Sequence, residues 1–336
     1  MANILAVIPA RSGSKSVPHK NIREIAGKPM LAHSIAHALA SKYITRIILS
    51  TDAEQYAEIG RQYGAEVPFL RPEELASDTA LDFEVFEHLL RTLKAEEGYE
   101  ADVVVQLRPT YPIRDVADID AMIEQLLQNP GLDSIRSISP AKEIPFKMWT
   151  MSADGCLTPI YKDIPECYNM PRQELPVAYY QNACIDVFRG STVLEKHSMT
   201  GTSIAGYVMP HNFDIDTEAE MAIAQQVLEI RQGMKRFVVD IDGVLAITKD
   251  TSDYSKSVPN QPIIDQINRF YDYGNEIVLF TARGFTTGVD WSVVTREQMQ
   301  EWGVKYHELR FGKPHADFYL DDHALTLEGL AALSKA

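Results

Sequence analysis

The chain has 336 residues, 45% of them apolar, and a formal net charge of −15. That length exceeds one typical domain of roughly 100–200 residues, and the apolar share suffices for packed cores, which excludes a disordered chain. The acidic balance argues against a nucleic-acid backbone or an anionic membrane surface as partner, so clustered basic residues carry extra information.

In chain order, "NILAVIP" is a short apolar run closed by proline. No basic segment precedes it, so it reads as a first strand and not a signal peptide. "MLAHSIAHALAS" has helical periodicity, "RIILST" reads as a buried strand, and a helix follows from about Ala53 to Tyr63. The helix "FEVFEHLLRTLKAEE", the strand "DVVVQL" and the helix "VADIDAMIEQLLQ" continue the alternation. This pattern predicts an α/β domain with a mostly parallel sheet. From about Ser139 to Tyr180, prolines and aromatics recur and helical periodicity fades. Such a segment, about residues 140–180, is expected to be functional or an oligomer contact. A helix over Thr217 to Gln232 leads to a boundary near Gly233. The first domain is therefore expected at residues 1–232 and a second at 235–336. There "RFVVDI", a helix near Ile263 to Tyr273, "EIVLFT", a helix near Asp290 to Trp302 and "DFYLDD" alternate again. No run approaches the ~18 apolar residues of a membrane span. Cys156, Cys167 and Cys184 fit neither a disulfide framework nor zinc spacing, and read as reduced thiols of a cytoplasmic protein. His33 and His37 share a helix face, but no third zinc ligand is evident. For them, as for His315 and His323, packing is the default reading.

The loop after the first strand, "IPARSGSKSVPHKN" (Ile8 to Asn21), places Arg11, Lys15 and Lys20 in a few residues of an acidic protein. Ser12, Gly13 and Ser14 allow a turn whose backbone N–H groups face an anion, which suits a triphosphate. It is neither a Walker A loop nor G-x-G-x-x-G.

With this loop, "LRPEELASDTA" (Leu70 to Ala80), "RPTYPIR" (Arg108 to Arg114), "PRQELP" (Pro171 to Pro176) and "FDIDTEAE" (Phe213 to Glu220), residues 3 to 230 resemble the CMP-sugar synthetases. These are the cytidylyltransferases that activate acylneuraminate and related sugar acids. The resemblance implies a Rossmann-like, nucleotide-diphospho-sugar transferase-like fold. It also implies a reaction in which a sugar hydroxyl attacks the α-phosphorus of CTP and releases pyrophosphate. Arg11, Ser14, Lys15, Lys20 and Asn21 would hold the phosphates, and Arg71, Ser77 and Thr79 would shape the nucleotide pocket. Asp214 and Asp216 would carry Mg²⁺, a hard ion that prefers carboxylates and substrate oxygens. "DIDTE" also reads as a helix N-cap through Asp216 or Thr217. Lys147, Arg172 and Asn182 match the family's sugar-acid site. Three departures bear on the acceptor. Arg108 replaces a glutamine. Tyr180 replaces an arginine or histidine ahead of a glycine that is here Ala183. Asp82 stands where serine is common. In the family the 140–180 region helps form the dimer, so a homodimer or homotetramer is implied.

"FVVDIDGVL" (Phe237 to Leu245), "TARG" from Thr281, "FGKP" with Lys313 and "FYLDD" with Asp321 and Asp322 place carboxylates at strand ends, where open α/β sheets build sites. In that order they resemble the haloacid dehalogenase-like phosphatases over about residues 236 to 330, here with a minimal cap. The resemblance implies that Asp240 attacks phosphorus and Asp242 serves as acid and base. Thr281 and Lys313 would hold the phosphoryl oxygens, with Arg283 as a second phosphate contact. Asp240, Asp242, Asp321 and Asp322 would surround Mg²⁺.

The combined expectation is a bifunctional enzyme. One domain frees an anionic sugar acid from its phosphate, and the other loads that acid onto CMP from CTP. Three other readings stay open: a cytidylyltransferase with an assembly module, a non-catalytic nucleotide sensor, and transfer to a non-sugar alcohol or phosphorylated metabolite.

Overall fold

A computed structural model of the chain describes residues 2–13, 17–209, 213–249, 253–316, 319, 323–327 and 329–330. It divides into two compact units, Met1–Glu220 and Met221–Ala336.

The first unit runs β1 (Ile4–Pro9), α1 (Met30–Ala40), β2 (Arg46–Ser50), α2 (Glu54–Gln62), α3 (Asp82–Glu97), β3 (Val103–Gln106), α4 (Val116–Gln128), β4 (Ser134–Pro140), β5 (Tyr179–Arg189), α5 (Gly190–Leu194) and β6 (Ile204–Val208). Six strands form one sheet in the order β6-β4-β5-β3-β1-β2. β1 is parallel to β2 and β3, and β6 is parallel to β4. Only β5 runs antiparallel to its neighbours β3 and β4. The expected mostly parallel sheet is present, with this one reversed strand.

β1 is apolar throughout because both sheet faces are covered. Its alternate residues Ile4, Ala6 and Ile8 pack with Leu31 and Ile35 of α1 and Ile119 and Met122 of α4. Leu5 and Val7 point to the opposite face, where Phe86, Leu89 and Leu93 of α3 close a second core. At Gly190, where β5 enters α5, a Cβ would collide with the carbonyl oxygen of Ala101.

Between β4 and β5, residues 141–178 hold no α-helix and no strand of the main sheet. The segment contains a short hairpin, Trp149–Met151 against Leu157–Pro159, and several single 3-10 turns. Ile144, Phe146, Cys167 and Leu175 give it a small core of its own. Cys156 is exposed, Cys167 and Cys184 are buried, and all three are free thiols.

In the second unit, β7 (Arg236–Val239), β8 (Glu276–Thr281) and β9 (Glu308–Phe311) form a parallel three-stranded sheet in that order. The helices α6 (Glu218–Arg231), which begins in the first unit, α7 (Gln261–Asp272) and α8 (Ser292–Glu301) follow in the chain, with a short antiparallel pair, Ala246–Ile247 against Val258–Pro259, after β7. The units divide inside α6, upstream of Gly233, because Ile230 on its last turn joins the core of Ile241, Ile264, Phe270 and Leu279. Most of the expected strand "DFYLDD" lies outside the described residues. No described helix is long and apolar enough to cross a membrane.

Candidate active site

A cleft of about 490 Å³ opens beyond the C-terminal ends of β1 and β3 in the first unit. Its cations come from separate segments: Arg11 and Lys20 after β1, Arg71 after α2 and Arg108 after β3. Backbone turns and buried bonds hold them. His19 takes φ 53°, a left-handed conformation that turns the chain into Lys20. The Lys20 ammonium is almost wholly buried and donates to Ile215 O at 2.8 Å and Asp216 Oδ1 at 2.9 Å. Asn21 Nδ2 donates to Arg11 O at 3.0 Å, fixing the base of the loop. Ser12 donates twice to Asp52, from its N–H at 2.8 Å and its hydroxyl at 2.6 Å. Arg71 is buried and donates to Ser50 Oγ and Ser50 O, and burial pulls its pKa down. Ser14 and Lys15 lie outside the described residues.

Three carboxylates stand among these cations. Asp78 pairs with Arg11 at 2.8 Å. Asp82 accepts from Arg108 Nη2 at 2.6 Å and from Gln106 Nε2 at 3.2 Å. Asp216 pairs with Lys20. Ser77 and Thr79 do not line the cleft; Asp78, between them, does. Asp78 is legible only as the acidic residue inside "SDT".

Asp214 stands two residues before Asp216 and does not itself line the cleft. Tyr111 Oη donates to its Oδ2 at 3.0 Å, and burial, with Asp214 adjacent, pushes the Tyr111 phenol far up, so it remains a donor. Asp214 Oδ1 is buried with no hydrogen-bond partner among the described residues. The helix cap does not consume Asp216. Thr217 takes that role: its hydroxyl accepts from Glu220 N, and the Glu220 carboxylate accepts from the N–H groups of Asp216 and Thr217. The set fits Mg²⁺, which is commonly held by one or two carboxylates and completed by substrate phosphates and water. No cluster of three or more metal-ligating side chains occurs among the described residues.

Of the expected sugar residues, only Arg108 joins the cleft. Lys147 and Arg172 are exposed and spend donors on the carbonyls of Met170 and Ala141, within the 140–180 region. Tyr180 is 46% exposed and also stands apart. Asn182 is buried at 2% exposure. Its amide oxygen accepts from Ser137 Oγ and Cys184 N, and its nitrogen donates to Ser139 Oγ. Its amide ties β5 to β4. His33 bonds Ile25 O and is buried, with its pKa lowered by burial, as an ordinary core histidine would be.

The second unit gathers its own charged group. Gly243, at φ 85°, turns the chain after Asp242. Lys313 ion-pairs with Asp240, and its backbone N–H donates to Thr281 O at 3.1 Å. Thr281 is fully buried, and its hydroxyl accepts from Arg283 N. Arg283 departs from the expected phosphate contact. Its Nε and Nη2 each reach Asp242 at 2.9 Å, and its Nη1 reaches Thr295 and Gln298. The side chain is wholly buried, so its donors are spent inside the protein. Thr248 Oγ1 gives Asp242 a further donor at 2.6 Å. Asp321 and Asp322 lie outside the described residues.

A family profile described as Cytidylyltransferase matches residues 5–147. The chain is 34% identical over 233 residues to Post-translational flagellin modification protein B of Campylobacter coli, covering 68% of this chain and 96% of that one. It is 33% identical to the CMP-N,N'-diacetyllegionaminic acid synthase of Legionella pneumophila, covering 68% of this chain and 97% of that one. The solved structure of CMP:2-keto-3-deoxy-manno-octonic acid synthetase complexed with CTP has the same fold, with TM-score 0.51 at 18% identity over 68% of this chain and 98% of that one. The matches cover about the N-terminal 230 residues, the part that builds the cationic cleft, and through them the chain belongs to the cytidylyltransferases.

Proposed function

We propose that the first unit transfers CMP from CTP to an anionic sugar acid of the sialic, legionaminic or pseudaminic type. The observation that carries this reading is the convergence of Arg11, Lys20, Arg71 and Arg108 on one cleft in a chain of net charge −15. The acceptor hydroxyl attacks the α-phosphorus, the bond to the β-phosphate breaks, pyrophosphate leaves, and the hydroxyl proton passes to solvent. Such chemistry needs positioning and charge neutralisation more than acid–base help. Arg11 and Lys20 hold the triphosphate, the backbone around Arg71 shapes the nucleotide side, and Arg108 meets the acceptor's anion. Asp214 and Asp216 would hold Mg²⁺, which supplies Lewis-acid stabilisation of the phosphates when bound. Pyrophosphate release from CTP and Mg²⁺ across a panel of α-keto sugar acids tests this. Absence of release with every acid overturns it. Arg108→Gln should raise the acceptor KM about tenfold or more, the loss of one charged contact, and leave that of CTP nearly unchanged.

For the second unit, we propose a Mg²⁺-dependent phosphatase acting on the phosphorylated sugar acid, so that the chain pairs consecutive steps. The reading is supported by Asp240 beside Lys313 at the ends of parallel strands. One observation favours a second reading, an assembly module: Asp242 is held by Arg283 and Thr248. Asp240→Asn separates the two. If the unit is a phosphatase, the variant loses phosphate release and keeps pyrophosphate release.

A homo-oligomer is also proposed. The 140–180 region and the start of β5 expose Trp149, Met151, Leu157, Val177 and Tyr179, an apolar surface of the kind that marks protein contacts. Sedimentation of the full chain tests it, and a monomer at micromolar concentration would refute it.

A further inference from the structure

The two departures from the family pattern that line the cleft touch each other. Arg108, where a glutamine is usual, donates from Nη2 at 2.6 Å to Oδ2 of Asp82, where a serine is common. Gln106 Nε2, at the end of β3, donates to the same oxygen at 3.2 Å. Both donors thus converge on Oδ2, and Asp82 Oδ1 accepts from no described residue. The Asp82 side chain is half-exposed at the start of α3 and lines the cleft. Among the described residues, Arg108 spends Nη2 alone, which leaves Nε and Nη1 for an anion.

The neighbouring carboxylates are committed elsewhere. Asp78 pairs with Arg11 and Asp216 with Lys20, the cations assigned to the triphosphate. Asp186 of β5, opposite Gln106 in the sheet, is 3% exposed, lies beside Arg136 at 3.8 Å and does not line the cleft. Asp82 alone stands beside the cation assigned to the acceptor. In an α-keto sugar acid, the attacking anomeric hydroxyl and the carboxylate share one carbon. An acid whose carboxylate meets the free edge of Arg108 therefore brings its hydroxyl next to that guanidinium, where Asp82 Oδ1 is open.

We propose that Asp82 is a catalytic residue, the general base for the attacking anomeric hydroxyl. Its Oδ1 accepts a hydrogen bond from that hydroxyl while Arg108 holds the adjoining carboxylate. As the hydroxyl oxygen bonds to the α-phosphorus, its O–H bond breaks and the proton moves to Oδ1. The bond from the α-phosphorus to the bridging oxygen breaks, and pyrophosphate leaves with that electron pair. The neutral Asp82 then returns its proton to solvent. A carboxylate is a weak base toward a free hydroxyl. The hydroxyl turns strongly acidic once it bonds to phosphorus, so transfer late in the step is favourable. Arg108 and Gln106, both on Oδ2, fix the carboxylate's orientation and leave Oδ1 for the proton. The inference rests on the sugar-acid reading of the first unit.

The test follows pyrophosphate in single turnovers of the full chain, in excess over CTP, with Mg²⁺ and the best acid of the α-keto panel. Single turnovers keep product release from masking the chemical step. Asp82→Asn keeps the size of the side chain and an oxygen for Arg108, but removes the base. It should slow the step by about 10²-fold or more, the contribution of a positioned base. Asp82→Ser should lose as much. In both variants the acceptor KM should not rise, and the CTP Kd from calorimetry should stay within about twofold of wild type, the sign of an intact cleft. A counter-ion role alone predicts another split: either variant frees Arg108, lowers the acceptor KM and leaves the rate unchanged. That result overturns the inference, as does a rate loss matched by weaker CTP binding, or a loss in Asp82→Asn that Asp82→Ser does not share. Each of these leaves the sugar-acid reading standing. A wild type that releases pyrophosphate with no sugar acid overturns both together.

Discussion

Arg11 Nη1 lies 2.8 Å from Asp78 Oδ1, with both side chains a little over one-third exposed. Lys20 and Arg108 likewise face Asp216 and Asp82, so three of the cleft's four cations have a carboxylate counter-ion already in place. An incoming triphosphate must compete with Asp78 for Arg11. Exposed pairs of this kind contribute up to about 1 kcal/mol, or roughly fivefold in affinity. Asp78→Asn should therefore tighten CTP binding by about two- to fivefold at low salt, with the gain fading as ionic strength rises. Titration calorimetry at two salt concentrations measures this, and weaker binding would show that Asp78 itself contacts the nucleotide.

Asp214 and Lys20 should fail in different ways. If Asp214 holds Mg²⁺ as proposed, Asp214→Asn keeps the hydrogen bond from Tyr111 but replaces a carboxylate with a neutral amide, so the Mg²⁺ concentration for half-maximal rate should rise by tenfold or more, about the range seen when a metal's support is removed. Lys20→Met removes the buried ammonium that the proposed reaction sets against the phosphates and should cut kcat by about 10²-fold, with no rescue by added Mg²⁺. Pyrophosphate release against Mg²⁺ distinguishes them.

Ala183 has φ 57°, where a Cβ is strained, at a bulge between β5 and β4. A left-handed non-glycine residue costs about 1–2 kcal/mol, and glycine's greater freedom when unfolded returns part of that. Ala183→Gly should therefore raise stability by about 0.5–1 kcal/mol. Urea unfolding of both proteins at pH 7 gives the difference, and a loss of stability would refute the strain.

Asp133 gives a pH signature. Its carboxyl accepts from Lys196 Nζ at 2.5 Å and from the N–H groups of Thr202 and Ser203. The lysine, then the two amides, hold its pKa down to about 2. Because the folded value is below the unfolded one, the stabilisation is complete above the ordinary carboxylate range. It is lost as pH falls through about 2. The stability gap between wild type and Asp133→Asn should be constant from about pH 7 to pH 5 and smaller at about pH 3. A gap that widens on acidification contradicts this.

Much of the fold is visible in periodicity. α1, α3, α4 and α6 fall where the apolar spacing puts them, because each buries one stripe. The strand β5 is harder to see. Its reversed direction depends on pairing with β3 and β4, which no local pattern encodes. In the site, Arg11, Lys20, Arg71, Arg108 and Asp216 converge as their motifs imply. Asn182 and Arg283 show the limit of motif reading: their residue types suit ligand binding, but burial and neighbouring partners direct them inward. Asp52 and Asp186 escape notice because each acts through a partner distant in sequence.

The Asp-Ile-Asp tripeptides of the two candidate sites each have a fully buried isoleucine at the centre, Ile215 in the first unit and Ile241 in the second. Ile215 is also tied at both ends of its peptide, through its N–H to Thr110 and its carbonyl to Lys20. A buried middle residue acts as a shared hinge pin, because neither flanking carboxylate can shift without moving the other. The isoleucines are therefore mutational choke points. A shortened side chain at either position would disturb two acidic groups at once, and a drift study of this protein should find both isoleucines as intolerant of change as the aspartates they separate.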